Sequence, residues 1–326
     1  MTPRRDKGRV EGLLRIGTRA SELALRQARA LQERLSDRGV KSELLTFKTT
    51  GDRRLDEPLS SIGAKGLFTK ELEDALAAGK VECCVHSLKD LPTEQPEALP
   101  VVAILEREDP RDVLVVNDNI TAESLEDLPR GSRVGTSSLR RRMLLLSRRP
   151  DVDVVELRGN VPTRLKKVDE GQVHAAILAA AGLRRLGVHQ RIDAWLEPPE
   201  WLPAAGQGAI AVQARADDVE TLAQLAGLDH PDTRRAVSAE RALLGALESG
   251  CQVPIGALVM ESRTGPVLYG MIGDVRGTRV IRGEEPLGAD PVASGERLAR
   301  ELLRRGAATI LLELRGMEKV PAPQPE

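Results

Sequence analysis

Aromatic residues make up only 2% of this 326-residue chain: two tryptophans, one tyrosine and two phenylalanines. So few rings offer little for unpaired bases to stack on, which argues against a single-stranded nucleic-acid binder. Cysteine is scarce as well. The three cysteines, two of them adjacent at 83 and 84, form neither a disulfide framework nor a zinc-binding spacing. The four histidines, at 86, 174, 189 and 230, are scattered. A cytosolic protein without a metal centre is the expectation. No apolar run nears the roughly 18 residues that span a bilayer. The longest, AAILAAAGL at 175–183, is far shorter and rich in alanine. The opening MTPRRDKGRVEG lacks the apolar middle of a signal peptide and reads as a frayed tail, and the closing VPAPQPE reads as disordered.

What is present is an ordinary globular composition, 41% hydrophobic and 30% charged, with a formal net charge of −1. The length suits two or three domains. From about 13 to 105, strand-like runs (LLRIGT, SELLTFKT, KVECCVHSL) alternate with helix-like ones (SELALRQARALQERLSDRG, LFTKELEDALAAG). In the first helix Leu23, Leu25, Ala28, Leu31 and Leu35 fall near helical spacing, and Gly39 ends it. Such alternation predicts an α/β domain with a largely parallel sheet. A second α/β unit runs from about 109 to 203, with strands at DVLVVN, SRVGTS, VDVVELRG and VHAAILA and a helix over SLRRRMLLLSRR. In NVPTRLKKVDEG, Asn160 is an N-cap candidate, with Pro162 in the first turn. LPAAGQGAIAVQAR, at 202–215, is a Gly-rich turn entering a strand that could close either unit. Beyond about 217, the helical DTRRAVSAERALLGALESG, the strands CQVPIGALVM and VLYGMIGDVRGTRVIRG, and the helical SGERLARELLRRG predict a small α+β domain.

Arginine carries the densest chemical signal. Arg140 and Arg141 follow GTSS, a turn from a strand end into a helix start, where α/β sheets bind ligands. Backbone N–H groups there favour anions, Ser137 and Ser138 add hydroxyls, and paired guanidiniums bind carboxylate or phosphate bidentately. Arg158 in LRGN occupies a similar junction, so a multiply anionic ligand is the expectation. HSLKD at 86–90 places Lys89 and Asp90 together at a strand end, offering an anion anchor and a carboxylate able to hold a proton or face a developing cation. IGAKGLF, with Lys65, lacks the spacing of a phosphate-binding P-loop. In ALESGCQVPIG, Cys251 follows a helix stop at Gly250. Local context alone favours a packing cysteine there, because unpaired cysteine is among the most often buried residue types.

Taken in chain order, RIGTRASELAL, IGAKGLFTKELEDAL, VHSLKDLPT, GTSSLRRR, LRGNVPTRL, ILAAAGLRRLG, PAAGQGA and ESGCQVPIG strongly resemble the porphobilinogen deaminases, or hydroxymethylbilane synthases, over residues 13 to 315. The resemblance implies a cytoplasmic, monomeric transferase of tetrapyrrole biosynthesis. It would join four porphobilinogen molecules head to tail, with loss of ammonia, into hydroxymethylbilane. It implies a dipyrromethane cofactor on a thioether to Cys251, with no metal, nucleic-acid or membrane partner. Asp90 matches the catalytic carboxylate. Lys65, Ser87, Lys89, Asp90, Ser137, Ser138, Arg140 and Arg141 match cofactor-binding positions, and Arg19, Ser21, Arg158, Arg164, Arg185 and Gln207 match substrate-binding ones. The implied fold is α/β in three domains: 13–108 with 205–216, 109–204, and a small α+β domain at 217–315 carrying the cysteine, with tails at 1–12 and 316–326. The first two would resemble periplasmic binding proteins around a cleft. Departures from the family pattern are Ser61, where some relatives have lysine, Ala64 within GAKG, the run ECCVHS, and His174, where aspartate is common. The rival reading is a non-catalytic anion-binding module that uses the arginines and leaves Cys251 inert.

Overall fold

The computed structural model describes residues 12–49, 69–247 and 253–316. They divide into two compact units, one of residues 12–49, 69–106 and 210–230, the other of 107–209, 231–247 and 253–316.

The first unit is built on β1 (Leu13–Arg19), β2 (Lys41–Phe47), β3 (Cys83–Ser87), β4 (Val101–Ile104) and β10 (Ile210–Ala214), in the sheet order β2-β1-β3-β10-β4. β1 runs parallel to β2 and β3, whereas β10 lies antiparallel between β3 and β4. The Gly-rich segment therefore enters this sheet, which is mixed. Helix α1 (Glu22–Ser36) buries Ala24, Gln27, Ala28, Leu31 and Leu35. Leu23 and Leu25, assigned to the apolar stripe from sequence, are only half-buried. The stripe instead starts at Ala24 and follows steps of four and three residues, the period of one helix face. α2 (Lys70–Ala77) covers the other side of the sheet. Cys83 packs in the cluster with α1 and Cys84 in the cluster with α2, so β3 is buried on both faces and reads as the unbroken run CCV.

The second unit holds two sheets. β5 (Asp112–Val116), β6 (Arg133–Gly135), β7 (Asp153–Val155), β8 (Ala175–Ala179) and β9 (Ala194–Leu196) form the order β7-β6-β8-β5-β9, with β6 parallel to β7 and β8 and with β5 antiparallel to β8 and β9. α3 (Leu139–Arg148), α4 (Val161–Asp169) and α5 (Ala180–Leu186) follow β6, β7 and β8. Asn160 caps α4 as its sequence predicts, its Oδ1 accepting from Thr163 N at 2.9 Å. The other sheet, antiparallel β11 (Ile255–Ser262), β12 (Gly265–Gly273) and β13 (Val280–Pro286), packs against α7 (Pro231–Leu247) and α8 (Pro291–Leu302). A short α6 (Val219–Ala226) belongs to the first unit, and α9 (Ala308–Gly316) follows a kink at Gly306, where φ is 111°.

Within the second unit one buried carboxylate ties distant segments. Glu240 of α7 accepts from Arg107 Nη1 and Nη2 at 2.6 and 3.0 Å, from Gly206 N at 2.8 Å and from Val259 N at 3.0 Å. Nearby, Glu108 N donates to Gly208 O, so the two segments run in contact. Gly208 has φ +88°, and a Cβ there would strike the Glu108 carbonyl oxygen. Only glycine permits that approach.

Candidate active site

In the first unit, the parallel strands β1 and β3 end at the same edge of the sheet, the edge where α/β sheets bind ligands. Arg19 ends β1 and Ser21 caps α1, its Oγ accepting from Ala24 N at 3.3 Å. Ser87 ends β3, and its Oγ accepts from Gln27 Nε2 at 2.8 Å, which occupies a lone pair and not the hydroxyl proton. A single 3-10 turn, Leu88–Asp90, follows and is closed by Leu91 N donating to Leu88 O at 3.2 Å. Leu88 and Leu91 are buried and anchor the turn, while Lys89 and Asp90 between them are half-buried. A cation, a hydroxyl and a carboxylate are thus fixed on a turn with little backbone freedom.

Immediately before them, the imidazole of His86 is buried and its pKa is lowered to about 4, by burial first and by nearby Arg19 second. An unfolded histidine titrates near 6.5, so between these values the unfolded chain binds a proton that the folded one refuses. The resulting stability is fully present above about pH 6.5 and is lost as the pH falls toward about 4, on the order of 3 kcal/mol in total. Thermal unfolding followed from pH 7.5 to 4 should show this slope, and His86→Gln should flatten it.

In the second unit, β6 leads into Thr136, Ser137 and Ser138. Ser138 caps α3, its Oγ accepting from Arg141 N at 3.4 Å, and Ser137 Oγ donates to Leu157 O at 2.7 Å. Arg140 and Arg141, expected from sequence to face a ligand, are both buried and both reach Asp112 at the start of β5. Arg140 Nη1 donates to Asp112 Oδ2 at 2.6 Å and to Leu202 O at 3.0 Å. Arg141 Nη2 donates to Asp112 Oδ1 at 2.7 Å, and its Nη1 donates to Ile177 O at 2.8 Å. Burial pushes the Asp112 carboxyl up, but the two guanidiniums outweigh it and hold the group well below the usual carboxylate range.

The remaining second-unit positions are more dispersed. Arg158 pairs with Glu156 at 2.5 Å and remains 22% exposed, whereas Arg164 on α4 is buried. Arg185 Nη2 donates to Gly208 O at 2.6 Å. Gln207 is fully buried, its Nε2 donating to Pro110 O at 2.7 Å and Asp112 Oδ1 at 2.8 Å. His174 precedes β8, at the opposite end from Ala179, and its Nδ1 accepts from Arg133 N at 2.9 Å. It is a backbone partner at the far end of the sheet from Ser137. Lys65, Cys251, Ser61, Ala64 and the helix stop at Gly250 lie outside the described residues.

Asp112 and Trp201 went unnoticed in the sequence. Their signal was an aspartate opening DVLVV, a strand otherwise apolar throughout and buried along its whole length. A carboxylate there requires charged partners, because an unpaired buried charge is very costly. The guanidinium, ammonium, hydroxyls and carboxylate of the first unit, and the guanidiniums and hydroxyls of the second, suit a pyrrole bearing acetate and propionate arms. The residues present therefore fit a dipyrromethane.

Comparison with known proteins bears on the same residues. The family model for the porphobilinogen deaminase dipyromethane cofactor binding domain matches residues 14–223, and that for the porphobilinogen deaminase C-terminal domain matches 234–304. A porphobilinogen deaminase of Syntrophobacter fumaroxidans is 47% identical over 312 residues, covering 94% of this chain and 99% of its own. Among solved structures, the methionine-binding protein MetQ is 16% identical at a TM-score of 0.42, over 67% of this chain and 89% of its own. A BvgS periplasmic VFT2 domain of Bordetella pertussis is 16% identical at 0.41, over 70% and 93%. Two successive family models and near-half identity along almost the full length converge on one conclusion: the chain belongs to the porphobilinogen deaminase family, and it contains that family's dipyrromethane cofactor binding domain.

Proposed function

We propose that the chain carries out the family's reaction by joining four porphobilinogen molecules head to tail, with loss of ammonia, into hydroxymethylbilane, on a dipyrromethane cofactor held by a thioether at Cys251. The cofactor, when bound, supplies the nucleophilic pyrrole carbon on which the chain is extended. The protein's share is binding, orientation and charge. In the first unit Arg19, Ser21, Ser87 and Lys89 neutralise and hydrogen-bond carboxylate arms. In the second, Ser137, Ser138, Arg140 and Arg141 serve the cofactor, and Arg158, Arg164, Arg185 and Gln207 serve incoming substrate. Lys65 joins the residues that serve the cofactor. Asp90 accepts hydrogen bonds from pyrrole N–H groups through its carboxylate oxygens and stabilises the positive charge that develops as the amine departs, the kind of preorganised electrostatic contribution that dominates many active sites.

The observation that supports this most is the turn Leu88–Asp90, which fixes Lys89 and Asp90 side by side at the end of β3, on the sheet edge shared with Arg19. A simple anion-binding module needs no carboxylate there, because it would repel the ligand. We further propose a division into domains at 13–108 with 205–216, 109–204 and 217–315, supported by the three separate sheets and by the return of β10 to the first of them, although α6 at the start of the third stretch packs in the core of the first unit. A monomer in the cytoplasm is the expected working form; among the described residues no helix is long and apolar enough to cross a membrane. Intact-mass measurement and peptide mapping of the purified active protein test the central claim. Two linked pyrroles are expected on the peptide containing Cys251. Active protein with an unmodified Cys251 would remove the thioether from the mechanism.

A further inference from the structure

Adjacent residues on an α-helix point about 100° apart, so Arg140 and Arg141 have no intrinsic reason to converge. They converge because a single buried carboxylate lies between them. Asp112 Oδ2 accepts from Arg140 Nη1 at 2.6 Å and from Trp201 Nε1 at 2.8 Å; Asp112 Oδ1 accepts from Arg141 Nη2 at 2.7 Å and from Gln207 Nε2 at 2.8 Å. Each oxygen thus takes one guanidinium and one neutral donor. The neutral donors come from the 201–207 segment, which also packs against the sheet: Trp201 is fully buried in the core cluster with Leu114, Met143 and Ile177.

We propose that Asp112 is a positioning residue that holds Arg140 and Arg141 in one fixed direction at the end of β6, with Trp201 and Gln207 locking its carboxylate in turn. The inference rests on the reading of both arginines as cofactor-carboxylate partners and adds what aims them. An arginine side chain has many rotamers, and ordering it when a ligand arrives subtracts from affinity. Two guanidiniums already fixed by a buried carboxylate have lost that freedom on folding, so the ligand meets a prepared pair. The backbone carbonyls of Leu202 and Ile177 take a further N–H from each guanidinium and narrow the choice of orientation. Asp112 itself touches neither cofactor nor substrate in this scheme.

Asp112→Asn keeps the size of the side chain but offers one carbonyl oxygen and one NH2 group. Two of the four donors then face another donor, whichever way the amide turns. The expected result, on protein purified from cells, is a fall of about tenfold in the fraction of folded chains whose intact mass includes the cofactor, matching one lost charge-assisted contact. In the chains that do load, KM for porphobilinogen should rise by a larger factor than kcat falls. Arg140→Gln and Arg141→Gln serve as the reference. If they load normally, the reading of the arginines fails. If they load poorly while folded Asp112→Asn loads like the wild type, the positioning role of Asp112 is overturned and that reading stands. Trp201→Phe supplies a second test when Asp112→Asn is recovered unfolded, since it removes one donor to Asp112 and leaves both guanidinium contacts. A rise of about twofold or more in KM with kcat held supports the locking of the carboxylate; unchanged KM and loading overturn it.

Discussion

Replacement of Glu240 by alanine is expected to destabilise the second unit by about 3–5 kcal/mol, the loss that follows when one partner of a buried ion pair is removed. Glu240 is fully buried and Arg107 is 12% exposed, so the guanidinium would keep its charge with little water to solvate it. The backbone N–H groups of Gly206 and Val259 would lose their acceptor in the same step. Each buried N–H left unsatisfied costs about 1–3 kcal/mol, which places the total toward the upper part of the range. Both tryptophans, Trp195 and Trp201, belong to this unit, so their fluorescence in a urea titration reports its unfolding selectively. A midpoint shifted downward with an unchanged slope is the expected signature. Glu240→Leu combined with Arg107→Met should recover much of the loss, because an apolar pair avoids the desolvation that the ion pair must offset. If Glu240→Ala alone leaves the midpoint in place, water already solvates Arg107 and the pair contributes nothing.

Asp90→Asn is expected to lower turnover by about 10²–10⁴, the usual contribution of a positioned acid or base, while leaving the fold intact. The substitution keeps the shape of a half-buried side chain on a turn that Leu88 and Leu91 anchor. On the proposed mechanism, what disappears is the negative charge that faces the cation formed as ammonia leaves. An amide still accepts a hydrogen bond, so substrate binding should suffer less than kcat. Rates are best expressed per cofactor-loaded chain, measured by intact mass on the same sample, to separate loading from turnover. A kcat within about threefold of the wild type would exclude Asp90 from the chemical step, since that is far below what a positioned carboxylate contributes.

These two carboxylates differ in how visible they were beforehand. Asp90 stood out because it follows a strand and sits beside Lys89 in HSLKD, two residues before Pro92. Glu240 did not, for its partner Arg107 is 133 positions away and its helix reads as an ordinary amphipathic one. Arg140 and Arg141 fall between the two cases. Their place after GTSS was legible, since the cap at Ser138 forms within one helical turn. Their direction was not, because Asp112 lies 28 and 29 residues earlier, on another strand.

The sequence by itself determined the local structure: the helix starts at Ser21, Ser138 and Asn160, the strand-helix alternation, and the ordered motifs that identify the family. Those features depend on the spacing of apolar groups and on hydrogen bonds spanning three or four residues, which a short window of chain contains in full. Only the tertiary structure decided that β10 would run antiparallel between β3 and β4, and that Asp112 would gather two arginines, a tryptophan and a glutamine. It also decided that Glu240 would bind Arg107. Each of these choices settles where a buried charge or a strand edge finds its partner. That partner is selected by what burial leaves nearby in space, and no local pattern in the chain encodes it.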